Sequence, residues 1–253
     1  MSTMPLAREV YYPESDGRPM GETQAHAKVM IDLLNVLEKR YASVPDVYVW
    51  GNMFFYYQQG NPGACVAPDL FLVQGVDKRV RRTYKLWEEG RVPSLVVEVT
   101  SKSTRDEDEV EKKGVYERLG VEEYFLFDPL GEYLQPRLQG YRLVRGRYQA
   151  LVPGADGSLV SRTTDLQLAP EGERLRLRDA AAGEPLLWNE EEAEARQAAE
   201  ERARQAARRA ENETQRAEIE ARRADQEKRA RQAAEERIRQ LEEELARRGP
   251  ASG

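Results

Sequence analysis

Two acidic residues and a lysine in the first half of the chain have the side chains needed to cut a phosphodiester bond. Asp69 opens the apolar run DLFLV and Glu98 lies within LVVEVT, and both runs are typical of strands. Carboxylates held by strands offer the oxygen ligands that hard divalent cations prefer. A lysine farther along, such as Lys112, could stabilise the attacking water or the charge developing on phosphorus.

The composition limits which classes of protein this chain can belong to. Its 253 residues suffice for one mid-sized domain and an appendage, and the single cysteine, Cys65, excludes an internal disulfide and a cysteine-rich zinc site. The sequence shows no secretory signal and no apolar run near the ~20 residues of a membrane helix. We therefore expect a cytoplasmic protein without a membrane partner.

Charge is unevenly distributed along the chain. The net charge of -6 argues against an overall electrostatic attraction to nucleic acid, but a local basic surface remains compatible with it. One short stretch is rich in basic side chains that could contact phosphates without reading sequence, or simply form a solvated loop. These candidate substrate-binding residues are Lys78, Arg79, Arg81, Arg82 and Lys85.

The apolar pattern predicts an α/β fold in which helices flank a mixed sheet. Met30, Leu33, Leu34 and Leu37 recur at helical spacing within residues 21–41. The run at 94–100 is apolar almost throughout, so we expect a central strand that is buried on both faces. Further strands are predicted at 47–50, 53–57, 66–73 and 121–128, with shorter strands between 131 and 179.

A helix is predicted between the strands at 94–100 and 121–128. Ser103 and Thr104 are suitable N-caps, and Gly120 is a suitable residue after its end. Asp108, Lys112 and Tyr116 are four residues apart, so they share one face of this helix.

The composition changes near Trp188 and predicts two parts of the chain: a domain spanning 1–188 and a long charged helix at 189–248. Residues 249–253 are expected to form a frayed end. The stretch from 190 to 248 consists almost entirely of Glu, Ala, Arg and Gln, without glycine or proline. A seam of alternating four- and three-residue steps passes mainly through alanines and ends at Ile238, Leu241 and Leu245, which is compatible with a coiled coil. We expect a homodimer or a higher homo-oligomer.

The order of elements resembles the restriction-endonuclease-like fold of the PD-(D/E)XK nucleases. Their motif is Pro-Asp, followed later by an acidic residue, any residue and lysine; Pro68-Asp69 and Glu98 match, but Thr100 stands at the lysine position. The chain resembles more closely the Uma family of restriction endonucleases, over roughly residues 10–190. The matching phrases include GRPMGETQAH, GNMFFYYQQGNP, VAPDLFLV, RRTYKLWEEG, LVVEVTSKSTRDED and KKGVYERLGVEEYFLFDP.

This resemblance implies a Mg²⁺- or Mn²⁺-dependent endonuclease acting on DNA. Asp69 and Glu98 would be the primary metal ligands, with the backbone carbonyl of Val99 and the carboxylate of Glu22 completing the shell. Lys112 or Lys102 would replace the missing motif lysine. His26, four residues after Glu22, would orient a phosphate or relay a proton.

Plainer roles compete with these assignments. Glu98 and Lys112 could form a structural ion pair, since a buried glutamate needs a partner. Asp69 could only turn a strand, Glu22 could only complement the helix dipole, and His26 could be structural. The alternative function is an inactive nuclease fold that serves as a binding or scaffold module with an oligomerising helical tail.

Overall fold

The computed structural model describes residues 10–15, 23–101 and 107–248, and the side chains of 107, 109 and 245–248 are left out of the description. The chain divides into two compact units, Met1–Glu191 and Glu192–Gly253. The first unit contains the sheets and the predicted site, and the second contains most of the C-terminal helix.

A six-stranded mixed sheet forms the centre of the first unit. Its two middle strands are parallel to each other, and every other neighbouring pair is antiparallel. The strands, in their order across the sheet, are β1 (Val47–Trp50), β4 (Leu70–Gln74), β6 (Leu95–Val99), β7 (Glu123–Phe127), β8 (Leu138–Val144) and β9 (Arg147–Ala150).

Two three-stranded sheets lie beside this central sheet in the fold. The first consists of β3 (Cys65–Val66), β2 (Phe55–Tyr56) and β5 (Tyr84–Lys85), and the second of β10 (Leu159–Ser161), β11 (Leu166–Glu171) and β12 (Arg174–Asp179). A short helix, α2 (Leu86–Glu89), follows β5 directly.

Helices cover both faces of the central sheet. Helix α1 (Gln24–Arg40) buries Val29, Leu33, Val36 and Leu37 against one face, as its helical spacing predicts. The other face is covered by a π-helical segment (Glu107–Lys112) that continues as α3 (Lys113–Leu119). The predicted mixed sheet with flanking helices is therefore confirmed. The predicted caps Ser103 and Thr104 lie outside the described residues.

The strand predicted at 66–73 is wrong as a single element. The structure has β3 and β4 instead, separated by Ala67, Pro68 and Asp69. Proline cannot donate a ladder hydrogen bond, and the Pro68 carbonyl accepts a bond at 2.8 Å from the N–H of Asn52 in a neighbouring turn. This interruption places Asp69 immediately before β4.

The C-terminal helix α4 (Asn189–Arg248) is 60 residues long, as the sequence predicts. Its first turn is capped, because the Trp188 N–H donates to Glu191 Oε2 at 3.0 Å. Farther along, its described side chains are almost all exposed, and ion pairs such as Arg196–Glu200 and Arg231–Glu235 join residues four apart. None of the described helices has the length and apolarity needed to cross a membrane.

Candidate active site

Asp69 is held at the start of β4 by backbone groups of two neighbouring segments. Its Oδ2 accepts a hydrogen bond at 2.7 Å from the N–H of Val99, at the end of β6. A Cβ on Gly51 would lie 2.0 Å from the Asp69 carbonyl oxygen, so only glycine lets the turn after β1 approach this closely. The aspartate is thus held by a hydrogen bond from β6, and its backbone lies close against the turn after β1.

Glu98 is fully buried on β6, with 0% of its surface exposed. Its Oε2 accepts from the Asp69 N–H at 3.2 Å and from Lys112 Nζ at 3.1 Å, and its Oε1 accepts from the Tyr116 hydroxyl at 2.8 Å. These donors offset the large cost of burying a carboxylate.

Lys112 comes from the helical segment that follows β6. Its Nζ lies 3.1 Å from Glu98 Oε2 and 3.0 Å from Asp108 Oδ1, so the ammonium group bridges two buried carboxylates. The backbone carbonyl of Asp108 accepts a hydrogen bond from the Tyr124 hydroxyl at 2.8 Å, which ties this segment to β7. The predicted shared face of Asp108, Lys112 and Tyr116 is therefore turned towards Glu98.

The cluster carries more potential negative than positive charge. Burial raises the pKa of Glu98 well above its usual value, although the Lys112 ammonium counteracts this. Burial acts to lower the pKa of Lys112, but attraction to Glu98, Asp108 and Asp69 outweighs it and raises that pKa. Burial is thus the main cause of the raised pKa of Glu98, whereas the three carboxyl groups around Lys112 cause the raised pKa of that lysine. A bound cation would offset the excess of carboxyl groups.

His26 lies against Asp69. Its side chain is buried, and its Nε2 is 3.2 Å from Asp69 Oδ2. The sequence predicts that His26 contacts a phosphate or relays a proton; the structure brings it to the carboxylate of a predicted metal ligand. Helix α1 is therefore joined to the site by a side chain.

The five basic residues predicted to bind substrate all contact groups of the protein itself. Arg81 is buried, 2.8 Å from Asp77 and 2.9 Å from Glu89, and its guanidinium lies 4.4 Å from the Tyr48 ring centroid. A structural role explains these contacts. The other four contacts are Lys78 with the carbonyls of Tyr41 and Ala42, Arg79 with Glu89, Arg82 with Glu14, and Lys85 with Glu88.

Two predicted site residues, Glu22 and Lys102, lie outside the described residues. Two other features near the site were missed by sequence reasoning. Gly51 was visible only as part of a Gly-Asn turn, and its contact with Asp69 depends on strand pairing. Thr100 was noted only as the residue in place of a lysine, yet it is 2% exposed and its Oγ1 has no hydrogen-bond partner among the described residues.

The candidate donor atoms at this site are oxygens, which hard divalent cations prefer. Asp69 and Glu98 supply carboxylate oxygens, and the predicted carbonyl ligand belongs to Val99, whose N–H donates to Asp69 Oδ2. The part of the chain that the structure describes contains no group of three or more His, Cys, Asp or Glu side chains that could hold a metal ion. Two carboxylates with further water ligands are a usual environment for Mg²⁺, so the residues fit this ion.

The central sheet holds two carboxylates, Asp69 and Glu98, near the ends of adjacent strands, and Lys112 reaches Glu98 from the helical segment that follows β6. Residues 4–171 match the model of the Uma2 family, which is described as "Putative restriction endonuclease". The match covers well over half of the chain, and the protein belongs to this family. The hydrolase class implied by the resemblance is thereby supported in general terms.

One solved structure similar to this chain comes from Anabaena variabilis and is described as a "putative nuclease belonging to DUF820". The sequences are 13% identical, the TM-score is 0.41, and the similarity covers 63% of this chain and 87% of that chain. No protein among the curated ones matches this chain.

Proposed function

We propose that this protein is a metal-dependent endonuclease that hydrolyses phosphodiester bonds in DNA. The observation that carries the proposal is the contact of Lys112 with Glu98 at 3.1 Å, beside the hydrogen bond from the Asp69 N–H to the same Glu98 oxygen. Residues far apart in sequence thus meet in one cluster whose two carboxylates and lysine suit phosphodiester hydrolysis.

The reaction adds one water molecule across a P–O bond. The water oxygen forms a bond to phosphorus, the bond from phosphorus to a sugar oxygen breaks, and that sugar oxygen leaves with a proton as a hydroxyl group. The other product is a terminal phosphate monoester. Stabilising the negative charge on the phosphoryl oxygens and on the leaving oxygen is the main task of such a site.

Asp69, Glu98 and the carbonyl of Val99 would hold Mg²⁺ or Mn²⁺, with Glu22 as a candidate fourth ligand. When bound, this ion would lower the pKa of a coordinated water and offset charge on the phosphate. The Lys112 ammonium stays protonated beside Glu98 and Asp108, and would stabilise the charge that develops on phosphorus. Val99 N–H and His26 hold the Oδ2 side of Asp69 in place.

The exposed basic residues extend the proposal to the substrate. Arg79 and Arg82 are 55% and 82% exposed in their side chains despite their ion pairs, so a DNA phosphate could compete for them. Lys78 and Lys85 are candidates for the same role. Arg81 is not, because its guanidinium is enclosed by Asp77, Glu89 and Tyr48.

The second candidate function is a scaffold module with an inactive nuclease fold. The complete burial of Glu98 favours it, because Tyr116, Lys112 and the Asp69 N–H already satisfy much of its carboxylate. In that case the cluster would only stabilise the sheet, and the helical tail would carry the function.

The decisive experiment is cleavage of supercoiled plasmid by the full-length protein with Mn²⁺. We expect nicked or linear DNA from the wild type and none from Asp69→Asn, because the substitution removes a metal-binding charge and retains the shape. Arg145→Ala, an exposed residue of the β8–β9 turn, is the matched control and should cut normally. No cleavage by the wild type, together with no Mn²⁺ binding by calorimetry, would favour the scaffold function.

We further propose that the C-terminal helix forms a homodimeric coiled coil. Ile238 and Leu241 support this, since they are 57% and 43% exposed on the predicted seam and would lose that exposure on pairing. Light scattering should give twice the chain mass for the full-length protein and one chain mass after deletion of residues 192–253. A dimer that persists in the shortened chain would contradict the coiled coil.

A further inference from the structure

The Thr100 hydroxyl is a buried polar group near the cluster that the proposed roles leave unexplained. Its Oγ1 is buried and has no hydrogen-bond partner within residues 10–15, 23–101 and 107–248. Burying a hydroxyl without a hydrogen bond is unfavourable, and buried groups of this kind usually have an ordered water or an ion as their partner. We therefore expect an ordered water or an ion, rather than a described group of the protein, to be the partner of this hydroxyl.

The position of Thr100 links its hydroxyl to the candidate active site. The Thr100 N–H donates to the Phe127 carbonyl at 2.8 Å, so the pairing between β6 and β7 continues through this residue. Side chains two residues apart on a strand project from the same face, about 7 Å from each other. The Thr100 side chain therefore projects from the face of β6 that carries Glu98.

Glu98 retains the capacity to accept one more hydrogen bond. In its ionised form, which the Lys112 ammonium favours, this carboxylate offers about four acceptor positions. Described groups fill three of them: Lys112 and the Asp69 N–H at Oε2, and the Tyr116 hydroxyl at Oε1. A molecule that donates to Glu98 Oε1 and bonds with the Thr100 hydroxyl would satisfy both groups.

We propose that Thr100 is a positioning residue whose hydroxyl holds a water molecule beside Glu98. Glu98 and Thr100 are 0% and 2% exposed, so a partner that both of them bind must be small, and a water molecule is smaller than a phosphate group. The role of this water in hydrolysis rests on the proposed nuclease function. The water site itself rests only on burial and hydrogen-bonding capacity.

Three variants of the full-length protein test the proposal. Thr100→Val removes the hydroxyl at nearly constant volume, and Thr100→Ser retains it. Thr164→Val is the matched control, because the equally buried Thr164 hydroxyl donates to Ser161 Oγ at 2.8 Å, far along the chain from the site residues. Plasmid nicking, calorimetric Mn²⁺ binding, the thermal midpoint and crystal structures are the readouts.

For Thr100→Val we expect kcat for nicking to fall at least about tenfold, because a misplaced water reacts slowly. KM for plasmid and the Kd for Mn²⁺ should change less than about twofold in both variants, because neither substitution alters the groups proposed to bind DNA or metal. Thr100→Ser should retain most of the wild-type rate, because it retains the hydroxyl. The thermal midpoint of Thr100→Val should not fall, since no protein hydrogen bond is lost. Thr164→Val should lower the thermal midpoint by roughly 2–4 °C and leave kcat unchanged.

Wild-type rates in Thr100→Val would overturn the role of Thr100 in the reaction. A crystal structure of the wild type without an ordered water within hydrogen-bonding distance of Thr100 Oγ1 would overturn the water site. If the wild type itself does not cut DNA, the nuclease function fails. The crystal structures of wild type and Thr100→Val then still decide the water site, because that comparison needs no activity.

Discussion

Glu98 and Glu123 are buried glutamates on adjacent parallel strands, but their partners differ in kind. Glu123 accepts from Arg142, from Ser161 and Thr163 hydroxyls, and from the N–H groups of residues 162 and 163. Glu98 shares one lysine with Asp108 and sits beside Asp69. Burial alone therefore does not distinguish these two carboxylates; the balance of donors and charge around each of them does.

The pKa shifts of the two glutamates run in opposite directions. Burial acts to raise the pKa of Glu123, but hydrogen bonds from Ser161, Arg162, Thr163 and Arg142 outweigh it and lower that pKa. Burial raises the pKa of Glu98, and the surrounding carboxyl groups add to this. Glu123 has the environment of a structural anchor between β7 and the β10–β11 region, whereas the raised pKa of Glu98 is compatible with the functional role proposed for it.

The largest effect should come from Glu98→Gln. We expect the rate of plasmid nicking to fall by about 10³-fold or more, because the substitution removes a charge proposed to bind the metal. The free energy of unfolding should change little or increase, since an amide is cheaper to bury than a carboxylate. Initial rates and urea denaturation measure both quantities. Cleavage within tenfold of the wild type would remove Glu98 from the site.

Glu123→Gln should have the opposite pattern. Losing one partner of a buried, multiply hydrogen-bonded ion pair should reduce the free energy of unfolding by about 3 kcal/mol. The folded fraction should still nick DNA at the wild-type rate, because this carboxylate faces Arg142 and the 161–163 loop. Urea midpoints and rates per folded molecule give the comparison. Loss of cleavage without loss of stability would make the two glutamates functionally alike.

A smaller effect should appear in the pH dependence of stability. The raised pKa of Glu98 means that the folded chain retains a proton that the unfolded chain has lost above pH 4.5, so stability falls as pH rises through this window. The lowered pKa of Glu123 means that this group contributes to the stability of the folded chain. That contribution is complete above pH 4.5 and is lost as the pH falls through the pKa that Glu123 has in the folded state.

Urea midpoints of the wild type and both glutamine variants from pH 3 to 8 check these signs. Glu98→Gln should remove the decline in the urea midpoint at higher pH, and Glu123→Gln should remove the fall in the urea midpoint at lower pH. Parallel profiles for the three proteins would show that neither glutamate has a shifted pKa in the folded state.

Much of the fold follows from local patterns in the sequence. The spacing of Leu33 and Leu37 predicts α1, the continuous apolar run around Glu98 predicts a central strand, and the uniform composition after Trp188 predicts the long helix. These features are local, because helix and strand periodicity repeat over a few residues. The prediction of a single strand at 66–73 was wrong because proline at position 68 interrupts the ladder of backbone hydrogen bonds.

Residue types and spacing, together with the family resemblance, also suggested Asp69, Glu98 and Lys112 as candidate site residues. Only the tertiary structure decided which of them meet. It brought Lys112 to Glu98 and His26 to Asp69, enclosed Arg81 between carboxylates, and gave Glu123 its partners. These contacts join residues distant in the chain, and they depend on strand order and register, which local periodicity does not specify.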